Sequence, residues 1–174
     1  LLFLYPVLAL LLPVRATVEV RRFAWLFMLF IFWIFIGFRD GIGGDWANYL
    51  SHYERLADSS LLESLSHRSV GYGLINWSFS QLSIGIYGVN AFCAALFVFG
   101  LDRFCWKQPS PWLAWLVLTP YLIFVVATGY TVQSVAIAFI LWGFSELASR
   151  KIGRFALLTL IAAIFHKSAL VSLV

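Results

Sequence analysis

Residues 23–38 read FAWLFMLFIFWIFIGF, an apolar run without a single charged residue, and arginines flank it on both sides at Arg22 and Arg39. A helix needs about 17 to 25 apolar residues to cross roughly 30 Å of hydrocarbon, and interfacial aromatics can extend a shorter run. Lipid offers the backbone no hydrogen-bond partners, so a run of this kind can cross only as a helix. The stretch therefore predicts a membrane-spanning helix.

The rest of the chain has the same composition. Of its 174 residues, 62% are hydrophobic and 11% are charged, whereas an ordinary soluble domain has about 25% charged residues. A water-soluble domain of this size cannot bury so much apolar surface, which excludes a cytosolic enzyme, a disordered tail and a nucleic-acid binder. The two cysteines, Cys93 and Cys105, form no CxxC pair and no metal-ligand spacing.

Apolar runs recur along the whole sequence. They lie near residues 1–14, 23–38, 86–101, 111–128, 131–148 and 153–174. We therefore expect an all-α, polytopic transmembrane helical bundle of about six spans, forming a single membrane domain over residues 1–174. Because the first run is short and the last residue is still in apolar sequence, we expect a fragment of a longer protein with an incomplete first span.

Basic residues are concentrated in the short links between the runs. They form three clusters: Arg15, Arg21 and Arg22; Arg103 and Lys107; and Arg150, Lys151 and Arg154. The net charge of +4 is thus explained by orientation, because short cytoplasmic links carry an excess of Lys and Arg. This rule places the three clusters in the cytoplasm and the loop of residues 39–85 outside.

The outer loop shows a helical pattern of its own. Trp46, Tyr49, Tyr53 and Leu56 recur at helical spacing opposite a polar face, which predicts an amphipathic helix lying on the membrane surface. An odd number of crossings must connect this loop to the cytoplasmic Arg103 cluster. The polar stretch 69–83 is therefore predicted to be an interfacial or re-entrant helix that does not cross.

Several unusual polar groups share the outer face in this topology. They are Arg39, Asp40 and Asp45 after the second span, Gln133 near the outer end of the fifth, and His166, Lys167 and Ser168 in the outer half of the last. Ionisable residues within a membrane are costly and usually face a bundle interior or a water-filled cavity. These residues are therefore the candidate site. A single histidine beside scattered acids forms no ligand set, so we expect no metal and no cofactor.

Each candidate also has a purely structural interpretation. Asp45 follows two glycines and precedes the predicted helix, so it can act as an N-cap. Arg39 can serve as an interfacial anchor, and Lys167 can extend to the outer interface while His166 bonds a backbone carbonyl. His52, in the exposed loop, is expected to be solvated.

Three stretches in this order resemble the EpsG-like family of bacterial exopolysaccharide proteins. They are FRDGIGGDWANYLSHYE (residues 38–54), GYTVQSVAIAFILWGFSELASRKIGRF (129–155) and IAAIFHKSALVSL (161–173). The last is similar to the family's A-x-x-F-H-x-S-A segment. Two positions depart from the family pattern: Val132 stands where members commonly have an arginine before Gln133, and the segment at Ser69 lacks its usual acid.

The resemblance implies a Wzy-like polymerase in the bacterial cytoplasmic membrane. Such a protein joins undecaprenyl-diphosphate-linked oligosaccharides into exopolysaccharide or capsule at the outer face of the membrane. Its expected partners are membrane lipid and other polysaccharide export proteins, and no nucleic acid is expected. The reaction needs cations on the departing diphosphate and a base near the acceptor hydroxyl. Arg39, with Lys167 or Arg68, suits the first role, and Asp45 or His166 the second. The other substrate-binding candidates are Asp40, Tyr49, Gln133 and Ser168.

Two other functions fit the same topology. A transporter or flippase for lipid-linked sugars would favour broken helices and polar groups at the midplane of an internal repeat, and the sequence shows no such repeat. A non-catalytic assembly protein of polysaccharide biosynthesis would use the outer loop only to bind partners. A ligase with a similar lipid donor would differ only in its acceptor.

Overall fold

A computed structural model describes residues 4–10, 17–57, 59–66 and 69–173, and these residues fold into helices joined by short links. Within these ranges nine α-helices follow one another: α1 (Leu4–Leu10), α2 (Val18–Gly37), α3 (Trp46–Ala57), α4 (Leu61–Leu65), α5 (Val70–Gln81), α6 (Ile86–Cys105), α7 (Pro111–Leu118), α8 (Thr131–Ala148) and α9 (Ile152–Phe165). A π-helical segment, Thr119–Ala127, continues α7, and a 3₁₀ segment, Lys167–Leu173, follows α9. The all-α prediction is confirmed.

Three of these helices, α2, α6 and α8, are long and apolar enough to cross a membrane, and two shorter apolar helices cover Pro111–Ala127 and Ile152–Phe165. Of the first predicted run, the structure describes only Leu4–Leu10 as helix. The chain is thus a helical membrane protein, and the number of six spans remains a prediction.

The last run, residues 153–174, is not one continuous helix, contrary to our expectation. Helix α9 ends at Phe165, and His166 takes an extended conformation with φ −143° and ψ 113°. The His166 side chain bonds the Ser168 hydroxyl two residues ahead, a local contact that favours a turn over continued helix. His166 and Lys167 therefore lie at a break in the backbone.

The helix that follows Pro111 also departs from regular geometry. Pro120 cannot donate a backbone hydrogen bond and its ring would collide with the carbonyl four residues before it. The chain widens here into the π-helical segment Thr119–Ala127, and the Thr119 hydroxyl donates to the Trp115 carbonyl at 2.7 Å. The wider turns of a π-helical segment can accommodate the hydrogen bond that proline cannot make, and the chain stays helical on both sides.

Helix α6 lies at the centre and packs closely against α2 and α8. Small residues permit this approach, because a Cβ on Gly37 would lie 2.8 Å from the Ala91 Cα and one on Gly100 would lie 2.6 Å from the Ala138 carbonyl oxygen. One core cluster surrounds Trp25, Phe97 and Trp115, and another surrounds Tyr72, Cys93 and Val135. Small residues at crossings are typical of helices that associate in membranes.

Contacts between distant residues show which helix ends lie together. Near the start of α2, Trp25 donates to Asp102, close to the end of α6, and its ring packs edge-on against Trp112 at the start of α7. At the opposite end of α2, Arg39 donates to Thr131 at the start of α8. The first of these two ends carries Arg103, and the second carries the predicted site residues, which matches the up-and-down order expected from the sequence.

The outer-loop helices pack onto the second of these ends. Helix α3 begins at Trp46, and the edge of its Tyr49 ring meets Tyr72 of α5, with the ring centroids 5.3 Å apart. Helix α5 has 12 residues, which gives it a length of roughly 18 Å, well short of a full crossing. Whether either helix lies on or enters a bilayer remains a prediction.

Candidate functional site

A cavity of about 510 Å³ opens between α3, α5 and the ends of α8 and α9. Its walls consist of Asp45, Asn48, Tyr49, His52, Ser69, Tyr72, Val132, Gln133, Phe165, His166 and Lys167. Small-molecule sites usually have volumes of about 300 to 1,000 Å³. The volume therefore lies within the usual range of a small-molecule site, and the lining combines aromatic side chains with one acidic, one basic and several neutral polar side chains.

Helix α3 provides one wall through residues spaced by three and four. Asp45, Asn48, Tyr49 and His52 occupy positions i, i+3, i+4 and i+7, which lie on one face of a helix. The Asp45 carbonyl accepts from the Tyr49 N–H at 2.9 Å, and its carboxylate accepts from the Asn48 amide at 3.3 Å. Asp45 thus lies directly before α3 and lines the cavity, and its carboxylate bonds the Asn48 side chain. Its role as an N-cap stays a prediction.

His52 is a member of the site that sequence reasoning missed. It lines the cavity from α3. An Arg55 guanidinium nitrogen lies 3.0 Å from its Nδ1, and because a guanidinium can only donate, Nδ1 is the acceptor in this contact.

Tyr49 and Tyr72 form the buried floor between α3 and α5. Burial raises the pKa of Tyr49 to about 12, and a hydrogen bond with the Val132 backbone lowers it in part. Burial also raises the pKa of Tyr72 strongly. Both phenols therefore keep their protons at physiological pH and contribute no negative charge to the cavity.

The wall opposite α3 is formed where α9 ends beside the start of α8. His166 and Lys167 reach the cavity from the break after Phe165, and Gln133 reaches it from the first turn of α8. The Nδ1 atom of His166 lies 2.6 Å from the Ser168 hydroxyl. This contact orients the ring and leaves Nε2 available for another partner.

A second cavity of about 250 Å³ shares part of this wall. Gln133 and His166 line both cavities, whereas Ser168 and Ala169 line only the smaller one. The rest of its lining comes from Ala136, Ile137 and Ile140 of α8. The larger cavity thus combines charged side chains, Asp45 and Lys167, with aromatic ones, and the smaller one has apolar side chains along α8.

Arg39 is close to the site but does not line either cavity. It is only 5% exposed, and its guanidinium donates to the Ile36 carbonyl and to the Thr131 hydroxyl, each at 2.6 Å. Burial lowers its pKa, and the Tyr49 and Tyr72 hydroxyls are near enough to interact with its charge. Among the described residues its Nε has no hydrogen-bond partner. The structure therefore presents Arg39 as a buried cation linking α2 to α8.

The structure thus brings Asp45, Tyr49, Gln133, His166 and Lys167 together around the larger cavity. Ser168 contacts His166 and lines the smaller cavity, Asp40 lies beside the Tyr87 hydroxyl, and Arg68 is outside the described residues. The missed wall residues Asn48 and His52 could have been found from their spacing relative to Asp45. Within the described residues, no three His, Cys, Asp or Glu side chains are grouped to hold a metal ion.

A protein-family model described as the EpsG family matches residues 22–174 of the chain. No curated protein and no solved structure matches the chain.

Proposed function

The chain belongs to the EpsG family, which indicates a membrane protein of exopolysaccharide biosynthesis, and from this premise we propose that its larger cavity is a polymerase site. Its substrates are undecaprenyl-diphosphate-linked oligosaccharide repeats, which it joins into exopolysaccharide or capsule at the outer face of the bacterial cytoplasmic membrane. Other polysaccharide export proteins are its expected partners.

The main support is one observation about the cavity walls. The carboxylate of Asp45, directly before α3, and the ammonium of Lys167, just after α9, line the same cavity. In the sequence, 122 positions separate these two residues (167 − 45). Glycosyl transfer from a lipid diphosphate needs this combination, because negative charge develops on the leaving group while a hydroxyl loses its proton.

The proposed step is a direct displacement. The acceptor sugar hydroxyl attacks the anomeric carbon of the donor glycan, a new C–O bond forms, and the bond from that carbon to the diphosphate oxygen breaks. The hydroxyl proton passes to the base, and undecaprenyl diphosphate leaves with the bonding electron pair. The nucleophile approaches the face opposite the leaving group, so the base and the diphosphate-binding groups belong on different walls.

This requirement divides the roles of the lining residues. Lys167, Gln133 and His166 are grouped on the wall of α8 and α9, where an ammonium and N–H donors would hold the diphosphate. Asp45 on the α3 wall then serves as the base. Asn48 and His52 line the cavity on that side, where their polar side chains would contact sugar hydroxyls.

The test uses cells whose exopolysaccharide depends on this gene. Asp45→Asn keeps the shape of the side chain and removes the base, so the rate should fall by about 10²- to 10⁴-fold, and single lipid-linked repeats should accumulate. Glu54→Gln is the matched control, because Glu54 lies on α3 but outside the cavity lining. Polymer length on a gel, at equal membrane levels of each variant, is the readout.

His166→Ala completes this experiment. Long polymer in both Asp45→Asn and His166→Ala would overturn the polymerase proposal and favour a non-catalytic assembly protein. Repeats that remain on the cytoplasmic side of the membrane would instead indicate a transporter.

A further inference from the structure

We propose that the smaller cavity, between α8 and the 3₁₀ segment, holds the first isoprenoid units of a polyprenyl diphosphate. The diphosphate then lies at the wall of Gln133 and His166, and the glycan extends into the larger cavity. This inference rests on the proposed function and adds the position and entry route of the lipid part of the donor.

The shared wall is the first observation. Gln133 and His166 line both cavities, so a ligand that contacts these two side chains can extend to either side of them. A lipid-linked glycan has this architecture, with a sugar chain on one side of a diphosphate and a hydrocarbon chain on the other. The Lys167 ammonium faces only the larger cavity, next to the position assigned to the diphosphate.

The polarity of the smaller cavity is the second observation. Its polar residues lie at one end, whereas Ile137 and Ile140 continue along α8 away from it. From Gln133 to Ile140 the helix advances by roughly 10 Å, and α8 is one of the three helices long enough to cross a membrane. The cavity therefore leads from a polar site into the apolar part of the helix, as an amphiphile requires.

The break after α9 explains why this space exists. At His166 the backbone leaves the helical path and continues as the 3₁₀ segment, so the chain turns instead of extending α9 alongside α8. This segment exposes apolar side chains, with Val171 73% and Leu173 45% exposed. An apolar surface on the segment whose Ser168 and Ala169 line the cavity would allow a lipid chain to enter sideways from the bilayer.

The test measures ligand binding to the natural protein in lipid nanodiscs, with empty nanodiscs subtracted. The two probes are farnesyl diphosphate, which carries three isoprenoid units, and inorganic diphosphate, which carries none. We expect farnesyl diphosphate to bind at least about tenfold more tightly, because burying even two CH₂ groups contributes roughly that factor. Ile137→Trp should fill the cavity and remove this advantage.

Two internal controls make the result specific. Binding of inorganic diphosphate should be unchanged in Ile137→Trp, which also shows that the variant is folded. Leu160→Trp places the same indole on α9, at a residue that is 54% exposed and lines neither cavity, and it should preserve the preference for farnesyl diphosphate.

Equal affinities for the two probes, or an Ile137→Trp variant that keeps the preference, would overturn the tail site. The polymerase proposal would survive that result as long as Asp45→Asn still stopped polymerisation. If neither probe bound and Asp45→Asn made long polymer, both proposals would fall.

Discussion

The Ser168 hydroxyl contacts the His166 imidazole and restricts the orientation of the ring. The 2.6 Å contact involves Nδ1, so the ring cannot rotate freely and its Nε2 keeps one direction. Ser168 was predicted to bind substrate, and this stays a prediction, because Ser168 lines the smaller cavity. Its hydroxyl also contacts His166, so we expect it to position the imidazole ring.

Removing this hydroxyl should slow polymerisation without weakening ligand binding much. We expect Ser168→Ala to lower the rate by about tenfold, which corresponds to roughly 1.4 kcal/mol, and to leave the affinity for inorganic diphosphate nearly unchanged. Ser168→Thr should restore the rate because it keeps the hydroxyl. Ser172→Ala is the control, since Ser172 donates only to the Ala169 carbonyl in the same segment. A loss of rate that threonine fails to rescue would contradict the positioning role.

The sequence predicted that Arg39 lies near the candidate site, but it did not predict which groups surround the guanidinium. The residue was expected to bind diphosphate or anchor the interface, and its guanidinium instead spans two neutral acceptors while 5% exposed. The planar guanidinium of arginine can donate to both acceptors at once, whereas the donors of a lysine ammonium all lie on one nitrogen atom.

Arg39→Lys should therefore destabilise the protein. We expect a loss of about 1 to 3 kcal/mol, seen as a lower melting temperature in detergent, with the affinity for inorganic diphosphate unchanged. Arg154→Lys, at an exposed ion pair with Glu146, should change neither quantity. A weaker affinity at an unchanged melting temperature would show instead that Arg39 contacts the ligand.

Helices α6 and α8 can cross closely because Gly100 has no side chain. Gly100 faces the backbone of Ala138, and no flexible group at this contact can move aside. The glycine matters here for close approach, and its backbone conformation is ordinary helix.

Gly100→Ala should force α6 and α8 apart. We expect a cost of about 1 to 3 kcal/mol in unfolding free energy, measured by thermal unfolding in detergent. Gly153→Ala is the matched control, because a Cβ at this helical glycine would meet nothing within 4 Å. The control should be neutral or slightly stabilising, and equal melting temperatures for both variants would refute the close-packing account.

The apolar runs of the sequence predict the ends of some helices better than those of others. The runs 86–101 and 131–148 correspond to α6 and α8 with small changes at the ends. After Arg154, the run 153–174 is apolar apart from His166, Lys167 and its small polar residues, and the helix nevertheless ends at Phe165. Composition cannot locate that end, because it results from a hydrogen bond between two side chains and from packing against α8.

For the whole molecule, the basic links and the candidate cavity lie at opposite ends of the bundle. Asp102 near the end of α6 meets Trp25 near the start of α2, while Asp45, Gln133 and His166 meet at the other end. The positive-inside rule assigns the first end to the cytoplasm.

Cysteine labelling in intact cells tests this orientation. The two native cysteines, Cys93 and Cys105, are buried, so they should give little background. Ser51→Cys on the exposed face of α3 should react with a membrane-impermeant maleimide in whole cells. Ser149→Cys, in the exposed link between α8 and α9, should react only after the membrane is opened. The reverse pattern would place the cavity in the cytoplasm and contradict a polymerase at the outer face.

The class of the fold follows from the sequence, because long apolar runs in a chain with few charges can be satisfied only by helices in lipid. The expected crossings also place Asp45, Gln133, His166 and Lys167 at one end, and these four residues line the larger cavity. The burial of Arg39, the position of His52 on the α3 wall and the break of α9 before Lys167 became visible only in the folded chain. Such features depend on side chains from different helices meeting at hydrogen-bond distance, and a period read along one helix contains no information about its neighbours.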